Sequence, residues 1–198
     1  MTRPSFDDIA FGAAKLVAQR STCPRLHTGA VIMTQDNRQL CTGYNGSLPG
    51  TPHCDQRTLC PHCTRGTKNI YETRPGPPQY FYDPPLKLID QITCPVCNGD
   101  YESDQLGCLI IDGHCKRTVH AEANAIIQAA RYGIPIAGCK MYALHEPCID
   151  CTQLIISSGI VKVYIAQPYR SEETTKYIEQ LGCDRNLFVW AIEHDHLS

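Results

Sequence analysis

The sequence has no surplus of basic residues and no long apolar run. Its 198 residues include 18 Lys and Arg against 20 Asp and Glu, a formal net charge of -2, so it lacks the basic footprint of proteins that bind duplex nucleic acid. It also lacks an apolar stretch of about 18 residues, the length that spans a bilayer. Asp7 and Asp8 stand where a signal peptide would need its apolar segment. We therefore expect a cytoplasmic protein with a small-molecule substrate and no membrane or duplex partner.

Cysteine, in contrast, is abundant, with 13 residues in the chain. In a secreted protein this number would suggest disulfides, whereas in an intracellular one it indicates thiolate metal ligands together with a few buried thiols. A bound metal is therefore the leading hypothesis.

Strand and helix patterns alternate outside the middle of the chain. Ser5 can cap a helix that runs to about Arg20 and that packs on a sheet through Phe6, Ile9, Ala13, Leu16 and Val17. A hairpin is predicted over 29–34 and 38–44, strands over 108–112, 139–145, 161–167 and 187–192, and helices over 120–132, 148–158 and 171–182. This order predicts one α/β domain over residues 1–198, with parallel strand pairs and helices on the sheet faces.

Residues 52–107 read as an insertion in that domain. Nine of the 14 prolines lie between Pro49 and Cys97, and no strand or helix period persists there. The segment contains two C-x-x-C pairs, Cys60 with Cys63 and Cys94 with Cys97. Four thiolates would form a closed, structural zinc site, and zinc binding of about 10–16 kcal/mol could order a segment with little apolar surface. The alternative is a set of free thiols, and a mildly basic stretch over 57–74 is more simply a solvated face.

A second set of metal ligands lies at the starts of two predicted helices. His120 and Glu122 open one helix, and Cys148 and Cys151 open the next. Thiolates are favoured at a helix N-terminus by its unpaired N–H groups and its dipole. One histidine and two cysteines leave a fourth zinc position for water, as in catalytic sites. Glu122 can then serve as the general acid and base. The alternatives are a closed zinc site with a fourth ligand, or thiols that merely pack.

The pattern H-x-E followed by P-C-x-x-C is typical of zinc nucleobase deaminases. The chain also has CPR at 23–25, TGAVI at 28–32, GYNG at 43–46, HAEANAI at 120–126 and PCIDC at 147–151. In this order the motifs resemble deoxycytidylate (dCMP) deaminases, particularly the phage and eukaryotic members, over residues 5–50 and 108–192. The resemblance implies a three-layer cytidine-deaminase-like fold, a five-stranded mixed sheet flanked by helices. It also implies hydrolysis of dCMP to dUMP and ammonia, in the host cytoplasm if the source is viral.

The same resemblance implies roles for individual residues. Asn45 is expected near the deoxyribose, the backbone of Ala121 near the base carbonyl and Tyr169 near the pocket mouth, and Arg25 or His27 is a candidate for the 5'-phosphate. Many members are homohexamers, activated by dCTP and inhibited by dTTP with Mg²⁺. The segment Gly43, Tyr44, Asn45 and Gly46 lines that effector site, so these residues are candidate effector ligands.

Two further features follow from the comparison with the family. Relatives usually carry a Thr-Leu pair where this chain has Leu144 and His145, and His145 is either a substrate contact or, as we expect, an exposed histidine at a strand end. Cys23 and Cys54 fall near positions where some phage relatives place an additional structural zinc, which His53, His114 or Cys115 could complete.

Other functions use the same motifs. The substrate could be another cytosine or adenine compound, such as cytidine, a riboflavin precursor or tRNA adenosine, although a tRNA enzyme is expected to be basic. A zinc-stapled binding module is the alternative outside catalysis. The presence of Glu122 argues against it, because a structural zinc has no use for that carboxylate.

Overall fold

The computed structural model describes residues 3–50, 53–54, 91–93, 100–102, 110–111, 114–168, 176–177, 180 and 187–190. The helices in this part of the chain are α1 (Phe6–Ala18), α2 (Ala121–Tyr132) and α3 (Ile149–Ser157). The strands are β1 (Gly29–Met33), β2 (Gln39–Tyr44), β3 (Gly46–Ser47), β4 (Gln91–Thr93), β5 (Asp100–Glu102), β6 (Ile110–Ile111), β7 (His114–Cys115), β8 (Thr118–Val119), β9 (Lys140–His145), β10 (Lys162–Gln167) and β11 (Phe188–Trp190). The predicted helix over 171–182 lies mostly outside the described residues.

The central sheet has five strands in the order β11-β10-β9-β1-β2. The first hairpin, β1 with β2, is antiparallel, and β1 also pairs antiparallel with β9. From β9 onward the strands run parallel, β9 with β10 and β10 with β11. The predicted α/β fold with a mixed, five-stranded sheet is therefore confirmed.

Helices cover both faces of this sheet. On β1, Val31 and Met33 point into a cluster with Ala10, Phe11 and other residues of α1. The alternate residues Ala30 and Ile32 belong to a second core cluster, which includes residues of α2 and α3. Because successive strand residues face opposite sides of a sheet, the two clusters define a three-layer arrangement with α1 on one side and α2 and α3 on the other.

The side of α1 that packs on the sheet agrees only in part with the prediction: Ala13 packs against the core cluster and Val17 lies beside Gly29. Ser5 does cap the helix, in a capping box with Asp8, but Phe6, Ile9 and Leu16 are 50%, 47% and 65% exposed. The buried face is made instead of Ala10, Phe11, Ala14 and Ala18. Glycine is needed at residue 29 because α1 lies very close to β1: a β-carbon on Gly29 would come within 2.2 Å of the Ala14 carbonyl oxygen.

The chain forms two compact units. The first contains Met1–Ser21, His27–Gly46 and Val119–Ser198, and therefore the whole central sheet, and the second contains Thr22–Leu26 and Ser47–Thr118. In the second unit β4 pairs with β5, and β6 pairs with β7, so the predicted strand over 108–112 is one arm of a small hairpin outside the central sheet. The proposed insertion over 52–107 falls within this unit and mostly outside the described residues, and its place within one domain remains a prediction.

No helix in the described part of the chain is both long enough and apolar enough to cross a membrane.

Candidate active site

His120 and Glu122 lie at the start of α2. His120 is the N-cap residue, with an extended backbone (φ -66°, ψ 155°), and Glu122 falls in the first helical turn. The carboxyl group of Glu122 is buried, with only 4% of the residue exposed, and its neighbour Ala121 is fully buried. The sequence thus directs an acidic side chain into the interior at the point where strand β8 gives way to a helix.

Cys148 and Cys151 occupy the equivalent positions of α3. Cys148 is the N-cap residue, with an extended backbone (φ -72°, ψ 173°), and Cys151 lies in the first turn. Both are buried. The N-terminus of a helix presents unpaired N–H groups and the positive end of the dipole, which stabilise thiolates.

These two helix starts bring the three predicted metal ligands together. His120 Nδ1 lies 3.4 Å from Cys148 Sγ and 3.5 Å from Cys151 Sγ. Within the described ranges no other group of His, Cys, Asp and Glu ligand atoms is as compact, with all three atoms within 4.8 Å of one another. Tetrahedral zinc with ordinary Zn–N and Zn–S bonds places its nitrogen and sulfur ligands about 3.5 Å apart. The residues therefore fit a zinc ion without rearrangement.

The protonation of the site follows from its burial and its hydrogen bonds. The hydrogen bond from Cys151 lowers the pKa of Cys148 to about 3, whereas donating that bond, together with burial, raises the pKa of Cys151. The thiolate form is therefore favoured at Cys148 and disfavoured at Cys151. Burial raises the pKa of Glu122, although nearby groups including His120 partly oppose this shift. A carboxyl group with a raised pKa is suited to both accepting and donating a proton near neutral pH.

The segment from Gly43 to Gly46 is fixed to the start of α2. Gly43 packs so closely that a β-carbon on it would lie 2.1 Å from the Ala121 carbonyl oxygen. The amide group of Asn124 donates a 2.9 Å hydrogen bond to the carbonyl oxygen of Tyr44. Asn124 is not among the residues predicted from the sequence, although its position in the first turns of the helix that begins with His120 and Glu122 is a usable signal.

Asn45 and His145 belong to one buried hydrogen-bond network. The backbone N–H of Thr28 donates to Asn45 Oδ1 (3.0 Å), and Thr28 Oγ1 forms a hydrogen bond with His145 Nδ1 (2.9 Å). His145 is only 6% exposed, so the expectation of an exposed strand-end histidine was wrong. The reason is that β9 lies inside the sheet, between β10 and β1, so its end is covered from both sides.

A group of thiols lies in the second unit. Cys23, Cys54 and Cys115 form a buried cluster, in which the sulfurs of Cys54 and Cys115 are 3.6 Å apart. Of the residues considered as a complement to Cys23 and Cys54, the structure thus brings in Cys115. His114 precedes it in β7, and its side chain lies outside the described atoms.

Several predicted site residues are not described by the structure. They are the four insertion cysteines, Cys60, Cys63, Cys94 and Cys97, and the candidate substrate residue Tyr169. Arg25 is described and half-buried, but it belongs to the second unit whereas Asn45 and Glu122 belong to the first.

The family model for the cytidine and deoxycytidylate deaminase zinc-binding region matches residues 4–167. The chain belongs to this family. It is similar to a deoxycytidylate deaminase of Mycobacterium phage D29, to which it is 32% identical over 163 residues, covering 82% of this chain and 95% of the phage protein. The ComE operon protein 2 of Bacillus subtilis is 33% identical over 197 residues, covering 100% of this chain and 76% of that protein.

Solved structures show the same deaminase fold. The crystal structure of dCMP deaminase from the cyanophage S-TIM5, in complex with dCMP and dUMP, matches 96% of this chain and 99% of that chain with a TM-score of 0.57 at 21% identity. The cytidine-deaminase-like architecture predicted from the sequence motifs is therefore confirmed.

Proposed function

We propose that this deaminase hydrolyses dCMP to dUMP and ammonia, and so feeds thymidylate synthesis. The observation that carries the proposal is the meeting of His120, Cys148 and Cys151 at two helix starts, with the buried carboxyl of Glu122 two residues after His120. The substrate is supported by the names of the relatives, since the phage D29 and yeast proteins are both called deoxycytidylate deaminases.

The protein's own residues divide the work of the reaction. His120 Nδ1, Cys148 Sγ and Cys151 Sγ would hold zinc, which when bound supplies a water molecule whose pKa is lowered to about 7. Glu122 takes a proton from the attacking water and delivers it to the ring nitrogen. It then takes the second proton of that water, from the hydroxyl now on the ring carbon, and passes it to the amino group. The C–N bond breaks, ammonia leaves and the hydroxyl oxygen becomes the ring carbonyl. Burial keeps bulk water from competing for these protons.

The remaining substrate contacts are proposed from the resemblance and from position. Asn45 lies in a segment tied to the first turn of α2, which supports a contact with the deoxyribose, and the backbone of Ala121 lies between His120 and Glu122, beside the expected base. Arg25 or His27 would bind the 5'-phosphate, because cationic donors are the usual ligands of phosphate. Tyr169 would line the pocket mouth.

Regulation, assembly and location are finer parts of the proposal. We infer activation by dCTP and inhibition by dTTP with Mg²⁺ through the segment Gly43, Tyr44, Asn45 and Gly46, which connects an effector to the catalytic helix through the Asn124 bond. A homohexamer and a cytoplasmic location are implied by the family resemblance alone.

Two structural zinc sites complete the proposal. Cys60, Cys63, Cys94 and Cys97 would hold one zinc in the insertion. Cys23 and Cys54, with Cys115 or His114, would hold another, and this site is supported by the 3.6 Å approach of the Cys54 and Cys115 sulfurs, close to the separation of two thiolates on one tetrahedral zinc.

The test is deamination of dCMP by the purified protein, followed by loss of absorbance, with zinc counted on the same sample. Parallel reactions contain dCTP, or dTTP with Mg²⁺, and separate ones offer cytidine and a tRNA anticodon stem-loop. Turnover of dCMP that rises with dCTP and falls with dTTP supports the whole proposal. Turnover without either response removes the regulatory part, and a zinc-loaded protein that is inactive on dCMP contradicts the substrate assignment.

A further inference from the structure

His145 is a buried histidine that the proposed reaction does not use. It is the last residue of β9 and is 6% exposed. Burial lowers its pKa to about 4, and a side-chain hydrogen bond with Gln167 partly opposes this shift, so the ring is neutral at pH 7. Burying a polar ring at a sheet position that an apolar residue could fill costs free energy unless the ring is hydrogen-bonded. The ring therefore has to be explained by its partners.

Those partners connect the ring to Asn45, in the segment from Gly43 to Gly46. The side chain of Thr28, the residue before β1, forms a 2.9 Å hydrogen bond with His145 Nδ1. Through its backbone N–H the same threonine donates to Asn45 Oδ1 at 3.0 Å. All three residues are buried, with exposed fractions of 7% or less. A chain of hydrogen bonds that excludes water is cooperative and holds its members in one arrangement.

Thr28 holds the backbone of Asn45 as well as its side chain. The Asn45 N–H donates to the carbonyl oxygen of Thr28 (3.3 Å), and Ser21 Oγ donates to the carbonyl oxygen of Asn45 (3.1 Å). The position of the Asn45 amide group therefore depends on where Thr28 lies. The hydroxyl group of Thr28 is in turn hydrogen-bonded to His145.

We propose that His145 is a positioning residue that acts through Thr28 on Asn45, and that this chain of bonds sets how tightly the sugar of the nucleotide is held. The inference rests on the proposed function, in which Asn45 contacts the deoxyribose. A direct contact between His145 and substrate is disfavoured, because Thr28 and Gln167 already engage the ring. An apolar side chain could fill the position of His145 in the sheet. Of the three bonded residues, His145 is therefore the one that the sheet itself does not require.

The test uses substitutions that break the chain of bonds at two points. Thr28→Val replaces the hydroxyl by a methyl group of similar size, and His145→Leu removes the ring. Each is expected to lower kcat/KM for dCMP about five- to tenfold, the effect of one buried hydrogen bond, mainly through KM, and to change the preference for dCMP over CMP. The double variant is expected to lose no more than the worse single one, because both act through one chain of bonds.

Two controls separate positioning from a general loss of structure. Thr34→Val removes a hydroxyl that bonds only within the β1–β2 turn, to Asp36 and Arg38, and should leave the dCMP/CMP preference as it is. His145→Asn keeps a polar atom near the position of Nδ1 and should recover part of the loss. Losses that are additive, or that fall on kcat alone with an unchanged dCMP/CMP preference, would overturn the proposal.

The amide resonances of Asn45 make the test independent of the substrate assignment. In ¹⁵N spectra of the full-length protein, Thr28→Val and His145→Leu should shift the Asn45 side-chain NH₂ signals, whereas Thr34→Val should not. If the wild-type protein fails to deaminate dCMP, the proposed function fails, but shifted Asn45 signals still support the positioning role. Unshifted signals in both variants overturn it.

Discussion

Gly43 lies directly against the Ala121 carbonyl oxygen, and a β-carbon on residue 43 would be 2.1 Å from that oxygen and 2.5 Å from the Ala125 nitrogen. Both contacts are with the backbone of α2, which cannot move away as a side chain could. The close approach of β2 to α2 is therefore a condition for the position of Glu122, and the glycine at residue 43 is required by packing whether or not it also contacts an effector.

Gly43→Ala should consequently impair both stability and activity. Forcing a methyl group into this contact is expected to lower the free energy of unfolding by about 1–3 kcal/mol and to reduce turnover more than tenfold, because the first turn of α2 must shift. Chemical denaturation and the dCMP assay measure the two effects. Gly12→Ala is the matched control. Apart from its chain neighbours and its own helix backbone, no atom lies within 4 Å of a β-carbon placed on Gly12, and alanine in a helix is favoured by about 1 kcal/mol, so a comparable loss in both variants would contradict the packing argument.

Glu122→Gln should abolish deamination while the fold and the zinc content remain. Glutamine has nearly the same shape as glutamate but cannot transfer a proton, and general acid–base groups contribute roughly 10²–10⁴-fold to a rate. Steady-state kinetics and zinc analysis of one preparation check both parts. Asp150→Asn, which removes the exposed acidic residue in the first turn of α3, should keep most of the activity. A variant at Glu122 that turns over at the wild-type rate would exclude the carboxylate from the chemistry.

The meeting of His120, Cys148 and Cys151 could be predicted because its signals are local. The positions of His120 and Glu122 on one helix start, and of Cys148 and Cys151 on another, follow from short spacings and from the physics of helix ends. The hydrogen bond between Thr28 and His145 joins residues 117 positions apart. A hydrophobic pattern along the sequence cannot reveal a contact between residues so far apart. His145 was therefore expected to be an exposed strand-end residue, whereas it is buried.

Helix α1 shows the same limit for the fold. Its extent and its cap followed from Ser5 and the acidic residues after it, but the most apolar face was assigned to the core, whereas alanines fill the contact with β1. Packing distance matters at one point, since the approach of Ala14 to Gly29 leaves no room for a β-carbon on residue 29, although the large side chain of Phe11 is also buried on this face. An amphipathic pattern shows which residues of a helix are hydrophobic, but not how closely the helix approaches the sheet.

Substitutions in α1 should separate its two faces. Phe11 is 3% exposed and packs edge-on against the Tyr142 ring at 5.3 Å, so Phe11→Ala is expected to cost about 3–5 kcal/mol of unfolding free energy. Leu16 is 65% exposed, and Leu16→Ala should change that free energy by no more than about 0.5 kcal/mol. Denaturant titrations at one protein concentration measure both variants. Equal losses of unfolding free energy at the two positions would support the predicted buried face, which includes Leu16.

Zinc analysis of cysteine variants should distinguish the catalytic site from the thiol cluster. Cys148→Ser is expected to lose one zinc per chain together with activity. Cys115→Ser should also lose one zinc, but from the site with Cys23 and Cys54, and should retain the catalytic one. Cys41→Ala is the control: burial raises the pKa of that thiol, which disfavours the thiolate that a metal needs. If Cys115→Ser and Cys41→Ala contain equal zinc, the cluster is a set of packed thiols.

Acid should destabilise the protein in part through His145. Burial lowers its folded-state pKa to about 4, whereas histidine in an unfolded chain titrates near about 6.5. Between these two values the unfolded state binds a proton that the folded state does not, so the free energy of unfolding decreases as the pH falls through this window. Above about pH 6.5 this loss is absent.

His145→Asn removes the titrating group and should flatten that dependence. Relative to the variant, the wild-type protein should lose up to about 3 kcal/mol between pH 7 and pH 4, as measured by denaturant titrations at a series of pH values. Because acid also releases zinc from thiolates in both proteins, only the difference between the two curves reports on the ring. If the two curves of unfolding free energy against pH stay parallel across the window, His145 is protonated or solvated in the folded protein. The description of His145 as a neutral, buried ring would then be wrong.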